Sequence, residues 1–242
     1  MKKIIITSII LTLTFSVNAQ SWWNSKKVRG NGNVTTETRR TSDYETVSSA
    51  GNFDVKLVPG KEGKITLNGE ENLMKYIITE VKRGKLSIKV KKNTNIRFTR
   101  KFVVTVPYRD IEGVALAGSG DVTNTGTIKS NNFKLALAGS GDIDLKVDAT
   151  KIKTSIAGSG NIKLNGNSST LTCSIAGSGD IRAYGLKTKS IAVSVAGSGN
   201  VRTTVSESIK VRVAGSGSVY YKGNPGKIDS KSAGSGSVID RN

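Results

Sequence analysis

Between Val81 and Lys101 the chain carries nine cations, Lys82, Arg83, Lys85, Lys89, Lys91, Lys92, Arg97, Arg100 and Lys101, and no acidic residue. Ammonium and guanidinium groups gathered in this way attract uronate, sulfate or phosphate, and salt weakens that attraction steeply. Strand alternation would set Lys85, Lys89 and Lys91 on one solvent face. The tract is therefore the expected anion-binding element, against the plainer reading of a solvated basic surface.

A second set of polar groups recurs at near-regular intervals: Asp121, Asp142, Asn161, Asp180, Asn200, Ser218 and Ser237. Stacked carboxylates can hold a cation, and paired ones can serve as acid and base in polysaccharide cleavage. Short polar side chains at a bend also accept hydrogen bonds from nearby backbone amides, which is a structural task. Asn or Ser in four of the seven copies argues against a shared metal row, and the spacing is not the nine-residue calcium repeat. The chain has no histidine, so the usual near-neutral proton shuttle is missing. With no nucleophile constellation or phosphate-binding loop either, no catalytic residue, metal or cofactor is expected.

Each of these polar residues follows a tetrad Ala-Gly-Ser-Gly. The tetrads begin at Ala117, Ala138, Ala157, Ala176, Ala196, Ala214 and Ala233, at spacings of 21, 19, 19, 20, 18 and 19 residues. One residue before the alanine stand Leu116, Leu137, Ile156, Ile175, Val195 and Val213, and three before it Val114, Leu135, Thr154, Cys173, Val193 and Val211. Five before it, from the second copy on, come Phe133, Ile152, Leu171, Ile191, Ile209 and Ile228; five after it, Val122, Ile143, Ile162, Ile181, Val201, Val219 and Val238. A period of two puts these positions on one strand face. Two strands thus flank a corner built on Gly118 and Gly120, Gly139 and Gly141, Gly158 and Gly160, Gly177 and Gly179, Gly197 and Gly199, Gly215 and Gly217, Gly234 and Gly236. Glycine supplies positive φ there and lets coils stack without an intervening side chain.

Coils of about 19 residues with Gly-Ser-Gly corners predict an all-β fold, a single-stranded parallel β-helix, or β-solenoid. The regular coils run over 111–242. Residues 44–110 read as irregular first coils of the same 44–242 domain, with an independent antiparallel domain as the alternative. A short helical turn fits 71–77. Residues 20–43 are polar and read as a flexible arm, unless Trp22 and Trp23 cover the end of the core. Cys173 falls in an inward ladder and reads as a buried apolar residue; as the sole cysteine it leaves no intramolecular disulfide.

Lys2 and Lys3 precede an apolar run from Ile4 to Val17, and Val17-Asn18-Ala19 resembles a signal-peptidase site. Residues 1–19 are therefore an expected signal peptide, with no cysteine at the cleavage point for a lipid anchor and no transmembrane segment in the mature chain. Export leads to the periplasm, the outer surface or the medium. Loss of the two lysines takes the formal charge from +19 to +17. Such a balance favours anionic polysaccharide or an envelope surface as partner, with a protein partner as the alternative. Nucleic acid is disfavoured, since aromatics are 5% of residues and Phe98 is the one aromatic in the basic tract.

The order Phe53-Asp54-Val55, Leu86-Ser87-Ile88, Val104-Thr105-Val106-Pro107 and then Gly113-Val114-Ala115-Leu116-Ala117-Gly118-Ser119-Gly120-Asp121-Val122 resembles the bacterial family described as putative auto-transporter adhesin, head GIN domain. The resemblance covers the chain from about Tyr44 onward and implies an exported parallel β-helix without established enzymatic activity. The sequence does not supply the strands of an autotransporter's membrane barrel. The combined expectation is an adhesin-like binding module, ahead of a structural scaffold and of a polysaccharide lyase or hydrolase.

Overall fold

The computed structural model describes residues 25–242. The expected signal peptide and the Trp22-Trp23 pair lie outside the described residues. In chain order the elements are β1 (Lys26–Arg29), β2 (Val34–Arg40), β3 (Thr46–Gly51), β4 (Asp54–Pro59), β5 (Lys64–Glu70), one helical turn α1 (Glu71–Met74), β6 (Ile77–Lys82), β7 (Lys85–Val90), β8 (Thr94–Arg97) and β9 (Val103–Tyr108). The regular half follows as β10 (Gly113–Gly118), β11 (Val122–Asn124), β12 (Ile128–Gly139), β13 (Ile143–Gly158), β14 (Ile162–Gly177), β15 (Ile181–Gly197), β16 (Val201–Gly215), β17 (Val219–Lys222), β18 (Lys227–Ala233) and β19 (Val238–Asp240).

The repeat folds as its spacing requires. Ala117, Ala138, Ala157, Ala176, Ala196, Ala214 and Ala233 pair in succession, each with its equivalent one coil on, in parallel register. The result is a β-solenoid of about seven turns. Within one coil Ile143, Leu145, Val147, Ala149, Ile152, Thr154 and Ile156 are all buried. Between Ala149 and Ile152 two successive residues, Thr150 and Lys151, face outward. That pair shifts the period-two phase, so the long strand turns an edge there without a break in pairing. Three inward positions per coil, those of Leu145, Val147 and Ala149, thus join the ladders that flank the tetrad.

The irregular half completes one end of the same stack. Ala50 and Gly51 pair with Ala117 and Gly118, so Ala50-Gly51-Asn52-Phe53-Asp54 forms an eighth corner in the column. Sequence comparison misses it because Asn52-Phe53 stands in place of Ser-Gly. Beyond this corner lie β7 on β3 and β9 on β4, both parallel. Antiparallel strands then finish the edge: β6 on β7, β5 on β9 and β2 on β5. These residues thus join the sheet of the regular coils, though not in chain order. The chain lays down one rung, travels outward to build the cap, and returns through Arg109–Glu112 to start β10 on the inner side of β3. Buried Glu62 fixes this return by accepting from Arg109 N and Nε, both at 2.7 Å.

The flexible arm expected over 20–43 is corrected for its described part, 25–43. From Lys26 to Arg40 the chain forms β1, paired with β8, and β2, paired with β5. Composition hides these strands because they lie at an edge and bury one side at most, so their residues stay polar. Arg39 anchors β2 by donating to Met74 O at 2.8 Å and to Ile77 O.

Candidate functional site

The basic tract is distributed over three elements at the capped end. Arg83 and Gly84, with φ of 51° and 70°, make the β6–β7 turn, and Lys82 pairs with Lys85 at its mouth. Leu86 and Ile88 point into the core, so Lys85 and Lys89 face outward. Lys91 and Lys92 follow β7, and Arg97 ends β8. The fold brings acids to this tract that the sequence window lacks. Lys82 lies 2.8 Å from Glu80, Lys89 also pairs with Glu80, and Lys101 lies 3.0 Å from Asp54. Hydrogen bonds from Lys82 and Lys89 hold the Glu80 carboxyl down at about 2. Arg83, Lys85, Lys91, Lys92, Arg97 and Arg100 have no ion-pair partner among the described residues.

Pairing of β1 with β8 adds three cations that sequence reasoning assigned to the arm: Lys26, Lys27 and Arg29 sit opposite Thr94, Asn95 and Arg97. The β-branched alternation of Thr94 to Ile96 was the available signal; its partner was not. Tyr76 stands beside this sheet with Lys26 and Lys75 at 5.6 and 5.5 Å from its ring. A hydrogen bond from Lys26, helped by the charges of Lys26, Lys75 and Lys91, lowers the Tyr76 phenol below the usual tyrosine range. Burial, followed by the charges of Glu62 and Asp43, raises the Tyr44 phenol. An alkaline titration followed by tyrosine-ring NMR is expected to ionise Tyr76 before Tyr44. The reverse order would contradict the clustering of lysines around Tyr76.

The loop that carries Arg100 and Lys101 is tied to Glu70, a carboxylate with 0% exposure. Its Oε2 accepts from Thr99 N at 2.8 Å and Arg100 N at 3.3 Å, while Oε1 accepts from Gly32 N at 2.7 Å and from the Thr99 hydroxyl. Burial alone would raise this carboxyl, but those four donors outweigh it and hold it at about 2.

The corner residues act as a hydrogen-bond ladder between coils. Asp54 Oδ1 accepts from Asp121 N, Asp121 Oδ1 from Asp142 N, and Asp142 Oδ1 from Asn161 N, at 3.1, 3.1 and 2.9 Å. Asn161, Asp180, Asn200 and Ser218 continue the pattern to Ser237 N. The accepted amide belongs to the next coil rather than to the same corner. This explains why Asp, Asn and Ser interchange: each offers one oxygen at the same reach. The Asp121 and Asp142 oxygens that face the column are thereby engaged with backbone.

On the strand after the corner, Asp144, Lys163, Arg182, Arg202 and Tyr220 form one outward column. Arg202 reaches Asp180 at 2.8 Å and lies 5.5 Å from the Tyr220 ring, with Arg241 at 5.2 Å from the same ring. Sequence reasoning missed this basic and aromatic column, whose members are 18 to 20 residues apart. Cys173 is fully buried, and burial pushes its thiol up to about 12, a value at which it is not a nucleophile.

A family model with the description "Putative auto-transporter adhesin, head GIN domain" matches residues 43–225. No curated protein matches the chain. Among solved structures, a "putative adhesin" from Bacteroides fragilis NCTC 9343 superposes with a TM-score of 0.83 at 21% identity, covering 88% of this chain and 100% of that one. A "putative lipid binding protein" from Parabacteroides distasonis ATCC 8503 gives 0.75 at 26% identity, covering 90% and 100%. A "putative adhesin" from Parabacteroides merdae ATCC 43184 gives 0.66 at 24% identity, covering 90% and 100%.

Proposed function

We propose that this chain, which belongs to the family described as putative auto-transporter adhesin, head GIN domain, is an exported, non-enzymatic binding module whose rigid solenoid presents basic faces to anionic glycans or other polyanionic envelope components. One observation carries the reading: the capped end gathers Lys26, Lys27, Arg29, Lys91, Lys92 and Arg97 around a single two-stranded sheet. Four of these cations, Lys26, Lys27, Arg29 and Arg97, stand on paired backbone, so little backbone ordering is needed when a polyanion docks. Attraction of this kind gives fast, salt-sensitive association rather than a deep specific site. The corner carboxylates each give one oxygen to the backbone of the next coil, which favours a structural over a catalytic task for them.

The similarity at 26% identity to a protein described as lipid binding supports a related target, because phosphate headgroups present the same charge to the same lysines. The test is a pull-down from envelope material at low and high salt, with purified acidic polysaccharide and anionic vesicles as separate arms. Capture at low salt should fall at least tenfold when Lys91, Lys92 and Arg97 are changed to glutamine. Equal capture by the variant, or a protein retained tightly at high salt, would overturn the reading, the latter in favour of a scaffold.

A further inference from the structure

A concave feature lies on the regular coils, away from the cap. A groove of about 740 Å³ runs along the solenoid axis where the long strands turn their edge. Its floor is one register column, Ser130, Ala149, Ser168, Thr188 and Val205, each paired with the next. Gly223 continues it, with no side chain to cover Val205 O. Ser130, Ala149, Ser168 and Thr188 are small for an edge position, and there the surface sinks. Six levels at the usual strand spacing make a channel roughly 24 Å long.

The banks are polar. One is the adjoining column Asp148, Asn167, Lys187 and Thr204, again in register. The other carries the exposed side chains of Thr150, Ser169, Lys189 and Ser206. Asp148 is held by Asn167, which donates from N and Nδ2, both at 2.9 Å, so the groove's acid is already engaged. Lys189 lies 3.8 Å from Glu207, and Lys187 has no ion-pair partner among the described residues.

We infer that this groove binds an extended acidic oligosaccharide, its hydroxyls against the Ser, Thr and Asn banks and its carboxylate or sulfate at Lys187 and Lys189; the inference rests on the glycan reading above and adds to the cap a second place for the same class of ligand. Other occupants fit the lining less well. From Ser130 to Val205 the floor column is paired coil to coil and so presents no strand edge to an added peptide. No aromatic ring lines the groove for a base to stack on. The volume lies within the range of small-ligand sites.

The experiment is amide NMR of the full mature chain titrated with a heparin-derived oligosaccharide and with neutral dextran. The acidic probe should shift Thr150, Ser169, Lys187 and Ser206. Ser169→Trp, which fills the groove from an exposed position, should weaken that binding at least tenfold. Lys187→Ala with Lys189→Ala should do the same without added bulk. Lys91, Lys92 and Arg97 changed to glutamine should leave the groove shifts in place. Binding whose shifts fall only on the β1–β8 sheet would overturn the groove and spare the general reading. No binding of the acidic probe at low salt would overturn both, and equal shifts from dextran would overturn the role of Lys187 and Lys189.

Discussion

Gly160→Ala is expected to cost about 4 kcal/mol or more of folding stability, in the range reserved for changes that the core cannot absorb. A Cβ built at Gly160 would sit 2.0 Å from Gly141 O and 2.9 Å from Leu137 Cδ2. The obstructing atom is backbone of the preceding coil, which is held by its own ladder: Gly160 N and Ser159 N both donate to Gly139 O, at 3.0 and 2.9 Å. Neither side can yield without parting β12 from β13 before the corner and β13 from β14 after it. Relief would need the two coils to separate along the axis, against the pairing that every coil shares with its neighbours. Ser159, between the two glycines and exposed, is the control: Ser159→Ala should stay within about 0.5 kcal/mol. Denaturant unfolding of the three proteins checks this. A Gly160→Ala midpoint equal to that of wild type would contradict the packing of the corner column.

The second large effect falls on the cap. Glu70→Gln should lower stability by about 3 kcal/mol at neutral pH, because the variant amide turns a donor toward amides that also donate. The carboxyl is held at about 2 in the folded chain against an ordinary value of 4.5. A depressed value of this kind stabilises the fold at pH above the ordinary value, and that contribution is lost as pH falls from about 4.5 towards 2. The difference between wild type and Glu70→Gln should therefore be full at pH 7 and largely gone at pH 2. Since Glu70 tethers Thr99 and Arg100, the variant should also loosen the loop between β8 and β9, seen as faster amide exchange at those two residues. A constant difference across that pH range would contradict the buried knot.

The regular half was readable because its chemistry repeats. Ladders at spacings of two around Ala138 or Ala157 assign strand, face and corner together, and the coil period then sets register. The inward positions of Leu145 and Leu164 follow the same rule but lose their regularity where Tyr184-Gly185 inserts a residue and β15 shifts register against β16. The cap was harder to read because its partners are distant and out of chain order. Nothing near Val34–Arg40 announces that Ile65 and Leu67 lie across from Arg39 and Glu37. The eighth corner escaped because Phe53 occupies the place of a glycine, at the one level where the chain leaves the column.

The candidate site divides in the same way. Lys82 to Lys101 stood out as a charge run, yet its pairing with Glu80 and Asp54, and its enlargement by Lys26, Lys27 and Arg29, depend on strand neighbours that composition does not encode. The groove escaped for a further reason. Ala149, Ser168 and Thr188 are unremarkable singly, and become a channel only when the coils are superposed.

The most direct test of the account is the affinity of the protein for one acidic polysaccharide measured by calorimetry at increasing salt, with the mixture assayed for polymer cleavage. A basic solenoid that binds polyanions through its outward faces predicts log affinity falling linearly with log salt, with a slope set by several displaced counterions, and an uncut polymer. Affinity indifferent to salt, or shortened chains at the end of the titration, would contradict it.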